Sequence, residues 1–180
     1  HGILHSFPTR RSSDLLVVVV ADLDDFKRYN TDFGHDCGDL LLRAAGKRVA
    51  ATVRAGDICA RTAGDEFGVL MPVRDPDESH EAAARVQAAF SEPILLDGKS
   101  FGLRASLGVA VWPRDGANAT ELLAAADVAL QACKDAGRNG ITQFEEGLYR
   151  DRRGRTALET DLRAAIEAGL LFVHYQPVVR

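Results

Sequence analysis

A chain of 180 residues has room for one domain of ordinary size and little more. With 46% hydrophobic and 27% charged residues it can bury a sizeable core, which sets it apart from disordered and fibrous chains. A net charge of −4 excludes a surface built as a whole to hold nucleic acid, so any phosphate must be met by local cations.

Residues 1–15 come first and fit nothing downstream. His5 to Leu15 show neither a helical nor a strand period and run without a turn into an apolar stretch. They resemble a translated sequencing adapter, so this segment is expected to be non-native and no part of the fold. Leu15 to Ala21 is far too short to span a bilayer, so no membrane segment is expected in this fragment. Cys37, Cys59 and Cys133 are odd in number and lack C-x-x-C spacing, which predicts reduced thiols in a cytoplasmic protein.

Leu16 to Asp22 is apolar and β-branched, the pattern of a buried strand. Phe26 to Phe33 predicts a short helix closed by Gly34. Asp36 to Val53 carries an apolar stripe at helical spacing. Ile58 to Thr62 and Glu66 to Met71 predict two strands turning at Ala63-Gly64-Asp65. Asp75-Pro76-Asp77-Glu78 is a capping signature that opens a helix running to about Phe90. Ile94 to Leu96 and Phe101 to Trp112 predict a second hairpin turned at Asp97-Gly98, with Phe101 and Trp112 in its core. Thr120 to Ala136 is an alanine-rich helix stopped by Gly137, and Ile141 to Phe144 a last strand. The order β-α-α-β-β-α-β-β-α-β predicts an α+β domain, a mostly antiparallel sheet with one face covered by helices. A nominal glycosylation triplet at Asn118 carries no weight in a cytoplasmic chain.

The chemistry gathers where strands end. Asp22-Leu23-Asp24-Asp25 leaves the first strand, and Asp65-Glu66 opens the strand after the first hairpin. If those strands pair, the carboxylates meet and repel unless a cation neutralises them. A hard divalent ion on acidic strand ends is suited to phosphoryl transfer, which points to a nucleoside triphosphate. An isolated D-x-D is more often a capping or turn element; the paired hairpin is what favours a site.

Six blocks in order resemble the GGDEF domain of diguanylate cyclases: Asp22 to Lys27 with Asn30, Phe33-Gly34-His35, Gly38-Asp39, Arg61 to Phe67, Ala105 to Ala110, and Lys134 to Asn139. The resemblance implies a nucleotide-cyclase, palm-like (ferredoxin-like) fold over residues 16–148, without the family's N-terminal helix. It implies condensation of two GTP into cyclic di-GMP and two pyrophosphates, with a homodimer needed for catalysis. Asp22, the carbonyl of Leu23 and Asp65 would hold Mg2+ (or Mn2+). Asp65 is also the proton acceptor, and Glu66 its neighbouring carboxylate and a second metal contact. Lys27 would stabilise transition-state charge. Asn30 and Asp39 would read guanine, beside His35 and Gly64, with an amide and a carboxylate matching its donors and acceptors. Without the flanking matches, Asn30 would be a helix C-cap and Asp39 a first-turn acid. Lys134 and Arg138 would hold the β- and γ-phosphates, although cations at a helix C-terminus are favoured in any case. Arg54-Ala55-Gly56-Asp57 matches the R-x-x-D inhibitory site for cyclic di-GMP; the alternative is a surface ion pair.

The first glycine of the signature is replaced by Ala63, which matters if the turn needs positive φ or if the nucleotide packs on that backbone. Residues 149–156 read as a polar linker. Residues 157–180 look like the start of an EAL phosphodiesterase domain whose metal-binding acids lie beyond the chain. The expected protein is therefore a composite GGDEF–EAL signalling protein. The alternative is a degenerate GTP- or cyclic di-GMP-binding module controlling an attached phosphodiesterase. A membrane anchor in missing N-terminal domains stays open.

Overall fold

The structure is a computed structural model that describes residues 15–149, 161 and 163–170. Of the segment 1–15 expected to be adapter-derived, residues 1–14 lie outside that set, whereas Leu15 is the first residue of the opening strand, paired with Val73. Most of the expected linker and 157–160, 162 and 171–180 of the expected second domain also lie outside it. The chain divides into two compact units, His1–Glu145 and Glu146–Arg180. In the second, 146–149 and the described residues from 161 to 167 are helical.

The first unit is built on a five-stranded sheet. Its elements are β1 (Leu15–Leu23), α1 (Phe26–Phe33), α2 (His35–Thr52), β2 (Ile58–Ala63), β3 (Glu66–Val73), α3 (Asp77–Ala88), β4 (Ile94–Leu96), β5 (Lys99–Phe101), β6 (Ala105–Trp112), α4 (Ala119–Asp135) and β7 (Ile141–Gln143). The strand order is β2-β3-β1-β6-β7, antiparallel throughout except for the parallel β6–β7 pair. β1 is central, which explains its unbroken valine run. Val17, Val19, Ala21 and Leu23 face a core shared with Phe67, Val69 and Met71 of β3, Leu107 and Val109 of β6, and Leu41, Ala45, Val49 and Val86 of α2 and α3. Each valine, leucine, methionine or phenylalanine among them contributes about 1.5–3 kcal/mol on burial. The alternate residues Val18 and Val20 are also buried. Their face carries Gly108, where an added Cβ would lie 2.1 Å from the Ala126 carbonyl of α4. Helices thus cover both faces of the sheet, not one; two-sided burial is why β1 does not alternate with polar residues.

The capping chemistry is local and strong. Asp75 accepts the Glu78 N–H at 3.0 Å, and Glu78 reaches back to the Arg74 N–H at 2.8 Å. The same device starts α4: Asn118 accepts the Glu121 N–H at 3.0 Å, and Glu121 accepts the Ala117 N–H at 2.8 Å. Asn118 is therefore a helix cap, a role its glycosylation-like triplet conceals. Asn118→Ala is expected to destabilise the domain by about 1 kcal/mol, read from the urea midpoint.

Two further expectations are corrected. The stretch from Phe101 to Trp112 is not one strand. β4 and β5 form a separate two-stranded sheet, and β6 starts only at Ala105, giving β-α-α-β-β-α-β-β-β-α-β. Tertiary bonds bend the chain between them: Gly102 carbonyl accepts the Tyr29 hydroxyl, and Arg104 carbonyl accepts the Asp24 N–H at 2.8 Å. Trp112, expected in the core, is 39% exposed at the end of β6, whereas Phe101 is buried. Cys37, Cys59 and Cys133 are free thiols. Among the described residues no helix is long and apolar enough to cross a membrane.

Candidate active site

Strand register brings the acidic tips together. Asp22 stands opposite Glu66 of β3 on one side and Ser106 of β6 on the other. The next residue, Leu23, donates its N–H to the Asp65 carbonyl at 3.2 Å. Asp65 sits in the two-residue loop between β2 and β3, where Gly64 takes the left-handed conformation at φ +45°. The non-glycine residues with positive φ among those described are Asp25, Asp97, Arg138 and Asn139. Ala63 is not one of them. It ends β2, paired with Glu66, so its methyl group imposes no backbone strain on the turn. The loop is held from outside by Arg61, whose Nε donates to the Gly64 carbonyl at 2.7 Å. Thr62 donates its hydroxyl to Glu66 Oε1 at 2.6 Å, which fixes that carboxylate across the hairpin.

The electrostatics of Asp22 show what the cluster lacks. Burial pushes its carboxyl above the usual value of 3.8; the hydrogen bond and charge of Lys134 pull it down, and the carboxylates of Asp65 and Asp24 push it up again. Lys134 Nζ lies 2.8 Å from Asp22 Oδ1, with both side chains largely buried. The charge of Asp22 is thus only partly compensated from within the protein. Its environment, and the hard oxygen donors of Asp22 and Asp65, fit a divalent cation. Among the described residues, no three His, Cys, Asp or Glu side chains gather into a metal-binding group. A metal there would need main-chain or ligand oxygens to complete its shell.

The remaining expected residues lie on the α1–α2 hairpin and at the end of α4. Lys27 is exposed in the first turn of α1, and His35 and Asp39 are exposed at the start of α2. Asn30 rests directly on Gly38: a Cβ there would meet Asn30 Oδ1 at 1.9 Å. Glycine at 38 leaves room for the Asn30 carboxamide against the start of α2, one residue before Asp39. Arg138 has φ +64° in the loop after α4. That helix closes with paired bonds from Gly137 N–H to the Lys134 carbonyl at 3.4 Å and from Arg138 N–H to the Cys133 carbonyl at 3.1 Å, a Schellman ending.

Arg54 to Asp57 forms a separate turn before β2. Asp57 accepts the Arg54 N–H at 2.7 Å and donates its own N–H to the Arg54 carbonyl at 3.0 Å. Their side chains are not among the ion pairs of the described residues. The turn leaves the Arg54 side chain exposed.

Sequence reasoning assigned no role to Asp24, Ser106 or Asn139, which join at the edge of this cluster. Ser106 is fully buried and donates to Asp24 Oδ1 at 2.6 Å. The signal was a lone hydroxyl opening the otherwise apolar strand Ala105 to Trp112.

The family described as "Diguanylate cyclase, GGDEF domain" matches residues 5–140. The cyclic di-GMP phosphodiesterase NbdA of Pseudomonas aeruginosa is 40% identical over 164 residues, 91% of this chain and 21% of that protein. The bifunctional diguanylate cyclase/cyclic di-GMP phosphodiesterase MucR of the same organism is 38% identical over 169 residues, 94% of this chain and 25% of that protein. This chain therefore spans about a quarter or less of the length of those relatives. The GGDEF domain of YfiN (TpbB) from Pseudomonas aeruginosa superimposes with a TM-score of 0.75 at 30% identity, covering 78% of this chain and 83% of that one. The five-stranded mixed sheet flanked by helices is thus the nucleotide-cyclase-like α+β fold, and the chain belongs to the GGDEF domain family of diguanylate cyclases.

Proposed function

We propose that this domain condenses two GTP molecules into cyclic di-GMP, as a module of a composite signalling protein with an EAL phosphodiesterase domain. The observation that carries the reading is the register that sets Asp22 and Leu23 beside Asp65 and Glu66, with Lys134 on Asp22. Asp22, the Leu23 carbonyl and Asp65 would hold Mg2+ or Mn2+, with Glu66 as a further contact. That ion, when bound, supplies Lewis-acid polarisation of the α-phosphate.

The protein's own groups do the rest. Asp65 accepts the proton of the attacking 3′-hydroxyl. Lys134 and Arg138 carry the β- and γ-phosphates, and Lys27 meets charge that develops in the transition state. Asn30 and Asp39 read the guanine edge, flanked by His35 and Gly64. Each hydroxyl attacks the other nucleotide, so two copies must face one another. Arg54 and Asp57 form the product's inhibitory site, where an exposed guanidinium can grip phosphate or guanine in a bidentate manner. The domain works in the cytoplasm, with residues 16–148 as the catalytic unit, 149–156 as linker and 157–180 as the start of the EAL domain.

A second reading is favoured by one feature: Ala63 replaces the first signature glycine, and a methyl group there meets any nucleotide packed on the turn. The domain would then bind GTP or cyclic di-GMP without turnover and regulate an attached phosphodiesterase, the activity named for the relative NbdA. Incubation with GTP and Mg2+ separates the two. Cyclic di-GMP that disappears in Asp65→Ala supports the enzyme; GTP binding without product supports the regulatory module.

The guanine contacts make their own prediction. Gly38→Ala forces only the movable end of Asn30 aside, so the fold should be unaffected, alanine being the better helix former. The KM for GTP is expected to rise about tenfold, roughly 1.4 kcal/mol, with an unchanged unfolding midpoint.

A further inference from the structure

One of the two proposed phosphate cations, Arg138, sits on a segment with an unfavourable backbone, directly after the helix that carries Lys134. Gly137, Arg138 and Asn139 have φ of +120°, +64° and +49°, three left-handed residues in a row, two of them bearing side chains. Such conformations persist only where the surroundings over-determine them. Packing does not do so at Asn139, which lines a cavity of about 350 Å3 together with Arg104, Leu103 and Gln87. The Schellman bonds hold Gly137 and Arg138 to the end of α4, and a set of three further hydrogen bonds ties down Asn139. The Asn139 N–H is shared between Asp24 Oδ2 at 3.0 Å and Ser106 Oγ at 3.2 Å, and Ser106 Oγ–H donates to Asp24 Oδ1 at 2.6 Å. Gly140 then accepts the Leu107 N–H at 2.9 Å and leads into β7.

We propose that Asp24, Ser106 and the Asn139 main chain form a clasp that positions Lys134 on Asp22 and fixes the loop that carries Arg138. The inference rests on the reading that those two cations bind the nucleotide's phosphates. It separates the roles of the two acids in Asp22-Leu23-Asp24. Asp22 faces Lys134, while both oxygens of Asp24 are engaged inside the protein, tying the ends of β1 and β6 to the loop after α4. Ser106 is fully buried and presents one hydroxyl to both partners, so alanine there removes two of the three bonds without adding volume. Asp24, Ser106 and Asn139 are positioning residues: they act on substrate through Lys134 and Arg138.

The test compares the Mg2+-dependent affinity of the full chain for GMP and for the non-hydrolysable guanosine 5′-[α,β-methylene]triphosphate. The wild type should bind the triphosphate more tightly. Ser106→Ala should weaken triphosphate binding about tenfold and leave GMP unchanged. Asn139→Val, which cannot easily hold positive φ, should do the same, and Asn139→Gly, which keeps the N–H and the backbone shape, should restore the wild-type ratio. Because Asn139 is exposed, its variants keep the test open even if Ser106→Ala proves unstable. A triphosphate-to-GMP ratio that stays at the wild-type value in Ser106→Ala and Asn139→Val overturns the clasp, as does equal weakening of both ligands. A wild type that shows no preference for the triphosphate refutes instead the phosphate role of Lys134 and Arg138, on which the clasp depends.

Discussion

Asp65→Ala is expected to lower cyclic di-GMP formation from GTP and Mg2+ by about a thousandfold or more, while the fold survives. Loss of a general base alone is worth roughly 10²–10⁴ in rate, and here the same carboxylate is a proposed metal ligand. The side chain stands in a surface loop whose shape is set by Gly64 and by the Arg61 clamp, so the turn outlasts its removal.

A second readout follows from the charge on Asp22. Burial does most to raise the Asp22 pKa and the Asp65 carboxylate adds to it, so removing Asp65 lowers that pKa. A carboxyl whose folded pKa exceeds its unfolded one contributes stability that is fully present below the unfolded value and lost as pH rises through the folded one. In the metal-free protein the Asp65 charge is part of what burdens Asp22, and Asp65→Ala relieves that part. The variant should melt no lower than the wild type without metal, and its melting temperature should rise less on adding Mg2+. A variant that melts well below the metal-free wild type would show that Asp65 is structural, and the thousandfold loss could then not be credited to chemistry.

Gly108→Ala carries the largest expected loss of stability. The new Cβ would lie 2.1 Å from the Ala126 carbonyl, 2.3 Å from the Leu130 nitrogen and 2.8 Å from the Leu130 Cα, all of them main chain. No rotamer change relieves such contacts, so α4 must lift off β6. A destabilisation of about 3 kcal/mol is expected, measured by urea unfolding. Because α4 also carries Lys134 toward Asp22, metal-dependent nucleotide binding should weaken with it. Gly102→Ala is the matched control. Its Cβ meets nothing within 4 Å and its φ is not positive, so its midpoint should move by no more than about 0.5 kcal/mol.

How much was legible beforehand differs by element. The valine run of β1, the capping boxes at Asp75 and the Gly137 stop are local signals, each written within a few residues, and the helices came within one or two residues of their observed ends. The path from β5 to β6 was not legible, because what breaks that strand is a tyrosine from α1 and a main-chain bond from the end of β1. No local pattern encodes a partner so far away in the chain. Trp112 likewise had an apolar neighbourhood in sequence and an open one in space, since it lies at the end of its strand.

Amino-acid order alone therefore determined the helices, the central strand, the acidic turns and the family to which they belong, for these depend on residues close together in the chain. Tertiary structure decided which acid faces Lys134 and which is tied into the frame. Asp22 and Asp24 are chemically identical and two residues apart. Only the pairing of β1 with β3 and β6, and the docking of α4, gives one of them a cation and the other a buried serine.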